Sequence, residues 1–196
     1  QEENSILKQK LVQMNMLNAE LLKYENENSE LKKSLNFYNE QPWSLQIAKV
    51  VNDNYSYLMR TITINLGLDD NLEINLPVVD VNGLIGKVEV VSDRVSNVQL
   101  ITDKNFRVSV RVGQDFSLGQ FIPSHDNLGV LDGIIKTANI KVGDLVYTSG
   151  ISTIYPVGLK VAKVISVNNH SNKGFQDIVV EILADLDNYN HVFVVL

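Results

Sequence analysis

The sequence predicts a mainly β protein with an N-terminal α-helix: a long coiled-coil helix followed by two small β-barrel domains. Three observations predict it. Between Ile6 and Asn39 the chain carries no Gly or Pro and repeats apolar residues at helical spacing. After Pro42 the period changes to two. The alternating runs are short, separated by Gly and Asn turns, and no second helix of useful length lies among them.

The helix comes first, as residues 1–42. In one heptad frame Leu7, Lys10, Met14, Leu17, Leu21, Tyr24, Asn28, Leu31, Leu35 and Tyr38 take alternating a and d positions. Leu11 and Leu22 lie beside this seam and widen it. About 34 residues of helix would extend roughly 50 Å, more than a small barrel is wide. Its apolar stripe therefore needs a partner helix. Each fully buried Leu is worth about 1.5–3 kcal/mol, most of which a lone helix would forgo. A homodimer follows, with Leu7, Met14, Leu17, Leu21, Tyr24, Asn28, Leu31, Leu35 and Tyr38 as its seam. Asn28, at an a position, costs stability but favours a parallel, in-register pair. The competing arrangement is an amphipathic helix folded onto its own barrels. The helix should stop near Gln41-Pro42, because the residue before Pro disfavours helix.

Strands fill the rest. Thr61–Leu66, Lys87–Val90 and Arg107–Val112 alternate with period two. Asn82-Gly83 and Asp132-Gly133 carry hairpin-turn chemistry. About a dozen strands are expected, near 46–52, 58–66, 72–80, 84–91, 95–102, 106–113, 117–122, 128–135, 144–148, 159–168, 176–185 and 191–196. Twelve are many for one small barrel. A first barrel over 43–108 and a second over 109–196 divide them, and the C-terminal strand could pair with either. That strand, Val192–Leu196, must be paired, since a bare apolar edge aggregates.

Composition narrows the chemistry. Of 196 residues, 17 are Lys or Arg and 23 Asp or Glu, a net charge of −6 with no basic cluster. That argues against a nucleic-acid surface. The absence of Cys removes zinc-thiolate sites, thiol nucleophiles and disulfides. No apolar run reaches the roughly 18 residues of a membrane span. The chain starts at Gln1 without Met, which fits a fragment whose signal or membrane anchor lay upstream.

The run Gly143–Val164 raises the question of catalysis, because Ser149 sits beside Gly150 and near Gly143-Asp144 in a chain of two barrels. Trypsin-like proteases share that architecture, but their Ser lies within a tight Gly-Asp-Ser-Gly loop and their His in the first barrel. Here the spacing differs and His125 is the first His. A triad needs a His within hydrogen-bond reach of the Ser. The better reading makes Gly143-Asp144 a turn into a strand and Ser149-Gly150 a turn out of it. His125, His170 and His191 lie far apart, and the acidic pairs Asp69-Asp70 and Asp185/Asp187 lack calcium-loop spacing, so neither metal nor cofactor is expected. Trp43 should cap the first barrel. Tyr55 and Tyr57 are expected in a loop with Asn52, Asp53 and Asn54, where exposed tyrosines could serve an interface.

Several runs together resemble the extracytoplasmic part of the MreC family of bacterial rod shape-determining proteins. In the first barrel these are Ile64-Asn65-Leu66-Gly67, Leu76-Pro77-Val78-Val79, Gly83-Leu84-Ile85-Gly86-Lys87-Val88 and Val98–Asp103. In the second, Gly143-Asp144-Leu145-Val146-Tyr147-Thr148-Ser149-Gly150 with Tyr155-Pro156-Val157-Gly158-Leu159 resembles the most specific signature. Ala162 stands where the family usually has Gly. Gly83, Gly86, Gly143, Asp144, Thr148, Ser149, Gly150, Pro156 and Gly158 are then structural turn positions. The resemblance implies a non-enzymatic scaffold for lateral peptidoglycan synthesis. It would be anchored by one N-terminal membrane helix on the extracytoplasmic face of the inner membrane. It would form a homodimer, with a higher assembly as the extension of that pairing, and work with MreD, MreB, RodA and a class B penicillin-binding protein. A periplasmic adaptor is the alternative, although adaptors usually insert a helical hairpin within a β-domain. A trypsin-like hydrolase is the other.

Overall fold

A computed structural model describes residues 2–40, 42–55, 59–169, 174–187 and 189–196. Gln41, Tyr57 and His170, named above, lie outside them. The chain divides into two compact units, Gln1–Pro42 and Trp43–Leu196.

The heptad-bearing segment is a single α-helix, α1 (Glu2–Glu40), about 58 Å long at 1.5 Å per residue. Nothing interrupts its 39 residues until Pro42 blocks the next turn. Met14, Leu17, Leu21, Tyr24, Asn28, Leu31, Leu35 and Tyr38 are all exposed along it.

Twelve strands follow among the described residues: β1 (Leu45–Tyr55), β2 (Arg60–Ile64), β3 (Pro77–Val79), β4 (Leu84–Val91), β5 (Ser96–Leu100), β6 (Val108–Val112), β7 (Ser117–Pro123), β8 (Leu128–Asp132), β9 (Leu145–Thr148), β10 (Lys160–Asn168), β11 (Asp177–Ile182) and β12 (His191–Val195). They close into two six-stranded barrels, as the alternating pattern predicts. The first has the order β1-β12-β3-β4-β5-β2, the second β10-β11-β8-β7-β6-β9. All pairings are antiparallel.

The period-two pattern explains which side chains face in. Ile62 and Ile64 of β2, Val98 of β5, Val110 of β6 and Val180 of β11 are fully buried, while their strand neighbours face outward. β12 departs from alternation: Val192, Phe193, Val194 and Val195 are all buried. A continuous apolar run of this kind marks a strand covered on both faces.

Four sequence expectations need correction. The boundary between 43–108 and 109–196 falls one residue into β6, and the choice left open for the C-terminal strand goes to the first barrel. Val108 opens β6 of the second barrel, and β12 belongs to the first. It bridges β1 (Leu45↔Val195) and β3 (Phe193↔Val79), two edges that would otherwise stand open. The residues Asn52, Asp53, Asn54 and Tyr55 are strand, not loop. A bulge between Val50 and Asn52 lets β1 continue against β2 as far as Tyr55↔Arg60. Within the expected strand 72–80 only Pro77–Val79 is regular strand, because Asn71 and Asn75 adopt φ of +60° and +68° and bend the chain before it. Finally, Asp132-Gly133 is not a hairpin turn. β8 and β9 are not paired to each other, and the chain between them runs through a long loop. Gln176 ties that loop to the barrel: its Nε2 donates to the carbonyls of Lys136 and Ala138.

Candidate functional site

The signature loop of the second barrel is held by Thr148, the last residue of β9. Its hydroxyl donates to the Pro156 carbonyl at 2.5 Å and accepts from the Leu159 N–H at 2.9 Å. Its own N–H and carbonyl bond Leu159 and Gly158. Thr148 is wholly buried, so one side chain fixes both ends of the loop between β9 and β10. Thr148 is therefore a strand-end clamp rather than a turn residue. Gly143, Gly150 and Gly158 are true turn positions, with φ of +98°, +76° and +95°. Asp144 caps its own turn, its carboxylate accepting the Lys141 N–H at 2.9 Å. Gly143 and Asp144 also bond Val164 through their backbone.

Ser149 takes no chemical posture. Its Oγ accepts the Ile151 N–H at 3.3 Å, and its N–H donates to Ser109. Among the described histidines, His125 pairs with Ser124, and His191 starts β12 of the first barrel opposite Lys49. The loop instead sends Tyr155 inward. Its ring meets the edge of Phe106 at 6.2 Å between centroids, closing one region of the core. The Tyr155 hydroxyl is buried without a hydrogen-bond partner, and burial raises its pKa.

The first-barrel glycines play a different part. Gly86 is not a turn residue. It lies inside β4, paired with Val78 and Leu100, where a Cβ would overlap the Gln99 carbonyl. Gly83 does sit in the turn between β3 and β4. Its constraint comes from the other barrel: a Cβ would stand 2.9 Å from the Lys160 carbonyl oxygen. Trp43 is half-buried at the entry to β1.

Sequence reasoning missed two buried aspartates that organise this region. Asp80 precedes the Gly83 turn and is 7% exposed. Its Oδ1 accepts the N–H groups of Asn82 (2.8 Å) and Gly83 (2.6 Å), and its Oδ2 that of Asp185 (2.8 Å). Burial raises its pKa above the ordinary value, while the N–H donors pull the other way. Asp103, 2% exposed, accepts from the N–H of Arg60 and Asn105 and from the Gln99 amide. The available signal was an Asp two residues before Asn-Gly, an Asx-turn pattern. Further off, Tyr189 donates to Asp53 at 2.9 Å. Burial, followed by that carboxylate, raises its pKa.

No helix among the described residues is long and apolar enough to cross a membrane. No group of three or more His, Asp or Glu residues among them could hold a metal ion.

Comparison with known proteins places these features. The family model "Rod shape-determining protein MreC, barrel core" matches residues 50–196, which take in the second barrel and all of the first except the opening residues of β1. The cell shape-determining protein MreC of Haemophilus influenzae is 31% identical over 193 residues, 97% of this chain. Those residues span 54% of that relative, so the chain covers about half its length. A solved MreC structure superposes with a TM-score of 0.82 at 25% identity, covering 88% of this chain and 99% of the other. A structure of Helicobacter pylori MreC in complex with penicillin-binding protein PBP2 is 27% identical. It superposes with a TM-score of 0.61, covering 76% of this chain and 96% of that one.

Proposed function

The chain belongs to the MreC family of rod shape-determining proteins, and on that footing we propose that it is a non-enzymatic scaffold. In this reading it organises and helps to activate the machinery of lateral peptidoglycan synthesis. The observation that carries it is the family match across both barrels. The turn roles of Gly143, Asp144, Ser149, Gly150 and Gly158 support it, because the run that invites a catalytic reading is occupied in holding a loop.

A class B penicillin-binding protein is the partner this reading names first. The complex formed by the similar Helicobacter pylori protein supports it. The barrels would bind a conformation of the transpeptidase preferentially and so shift its population. MreD, MreB and RodA complete the assembly, at the extracytoplasmic face of the inner membrane, with an N-terminal membrane helix as the anchor. A single helix preceding all the strands disfavours the adaptor alternative.

Two experiments test the reading. The membrane-anchored chain, expressed in a rod-shaped bacterium depleted of its own MreC, should restore rods. Spherical cells containing the stable protein would contradict the scaffold. The exposed stripe of α1 supports a homodimer. Sedimentation at tens of micromolar should give the dimer mass. Asn28→Leu should raise the melting temperature of the pair and loosen its register or stoichiometry. A monomer would remove the seam, and unchanged melting and mass in the variant would remove the role of Asn28.

A further inference from the structure

The chain crosses between the barrels twice, and at each crossing a buried aspartate takes up backbone N–H groups that strand pairing leaves over. On the way out, Asp103 binds Arg60, Gln99 and Asn105 on the first-barrel side. Three residues later Phe106 is buried against Tyr155 of the second barrel. On the way back the change of barrel is more abrupt. The Leu183 N–H still bonds the Val161 carbonyl of β10 at 3.1 Å. The Asp185 N–H already bonds the Asp80 carboxylate of the first barrel at 2.8 Å. Ala184, between them, is buried.

The turn that receives Asp185 also touches the second barrel directly. At Gly83 a Cβ would stand 2.9 Å from the Lys160 carbonyl oxygen and 3.4 Å from the Leu183 Cβ. The same carboxylate therefore does two things. One oxygen shapes the turn through Asn82 and Gly83; the other holds the returning chain. Only a carboxylate offers acceptors on both oxygens; an amide offers one.

We propose that the Asp80–Gly83 turn is a releasable joint that sets the angle between the two barrels. The strand registers of both barrels run through neither residue 80 nor residue 185. Losing the carboxylate therefore leaves both barrels closed. It frees the returning crossover, and the second barrel swings about the Asp103 crossing. This inference goes beyond the scaffold reading and does not rest on it.

The absence of cysteine allows a direct test. Glu89→Cys on β4 and Gln114→Cys in the turn between β6 and β7 are exposed sites, one on each barrel. With both spin-labelled, and diluted in unlabelled full chain so that only pairs within a chain are read, the parent should give one narrow distance distribution. Asp80→Ala should broaden it, and Asp80→Asn should broaden it less. In Asp80→Ala the Asp185 amide should exchange about ten- to a hundredfold faster, the strand amides remaining protected. Distributions as narrow as the parent's in both variants would overturn the joint. So would loss of protection throughout both barrels in both variants, which would make Asp80 a residue of folding.

Discussion

The first and second barrels share a strand number and differ in how they close. The second uses one continuous stretch, β6 to β11, and is complete at Ile182. The first has five strands by Leu100 and waits for β12 to bridge β1 and β3. One barrel is thus an insertion in the other. Closing the first requires the ends of the unit to meet, a pairing of high loop-closure cost, whereas the second needs far shorter closures. The second barrel should therefore be able to fold without the first, but the first cannot close without the last strand.

The largest effect tests that asymmetry directly. Ending the chain at Asp187 removes β12, with Val192, Phe193, Val194 and Val195 from the core. Hydrogen exchange should show β1 to β5 unprotected and β6 to β11 still protected, with aggregation through the opened edges. Equal loss in both barrels would break the comparison. Next is Thr148→Val, which leaves the Pro156 carbonyl and the Leu159 N–H without their partner. Denaturant unfolding should show a loss of about 2–4 kcal/mol, with exchange rising in the second barrel alone.

Smaller and opposite in sign is Tyr155→Phe. It deletes a buried hydroxyl that has no partner. The second barrel should gain about 1 kcal/mol in the same unfolding measurement, and a loss would mean the hydroxyl is satisfied. The smallest effect belongs to the first barrel and to pH. The folded-state pKa of Asp80 is raised, so its contribution to stability is full below the unfolded value and is lost as pH rises through the folded one. The stability of the parent relative to Asp80→Asn should therefore increase as pH falls toward 4, the unfolded range. A constant difference would remove the shift.

Legibility in the sequence followed the same divide between local and distant causes. The helix and the twelve strands could be read because heptad spacing, period-two alternation and, for β12, a continuous apolar run are local signals. The owner of β12 could not, since its apolar run fits either barrel. Only the open edges of β1 and β3 decide. Gly143, Gly150 and Gly158 were legible as turns because positive φ is a demand of the chain itself. Gly86 was misread for the opposite reason: Gln99, distant in its partner strand, leaves it no room for a side chain, and the Lys160 carbonyl adds to the Gly83 turn a constraint that its own sequence does not show. The local turn of Asp80 had a signal in the sequence, but the anchoring roles of Asp80 and Asp103 did not, because their partners Asp185 and Arg60 come from far along the chain.

One consequence of β12 concerns handling. The Leu196 N–H donates to the Ser44 carbonyl at 2.9 Å, and Val195 lies opposite Leu45. The β unit is entered and left through a single doorway on the first barrel. Any tether, tag or fusion attached at either end of that unit grips the first barrel. The second barrel is joined to that grip through the two internal crossings and carries neither end of the unit.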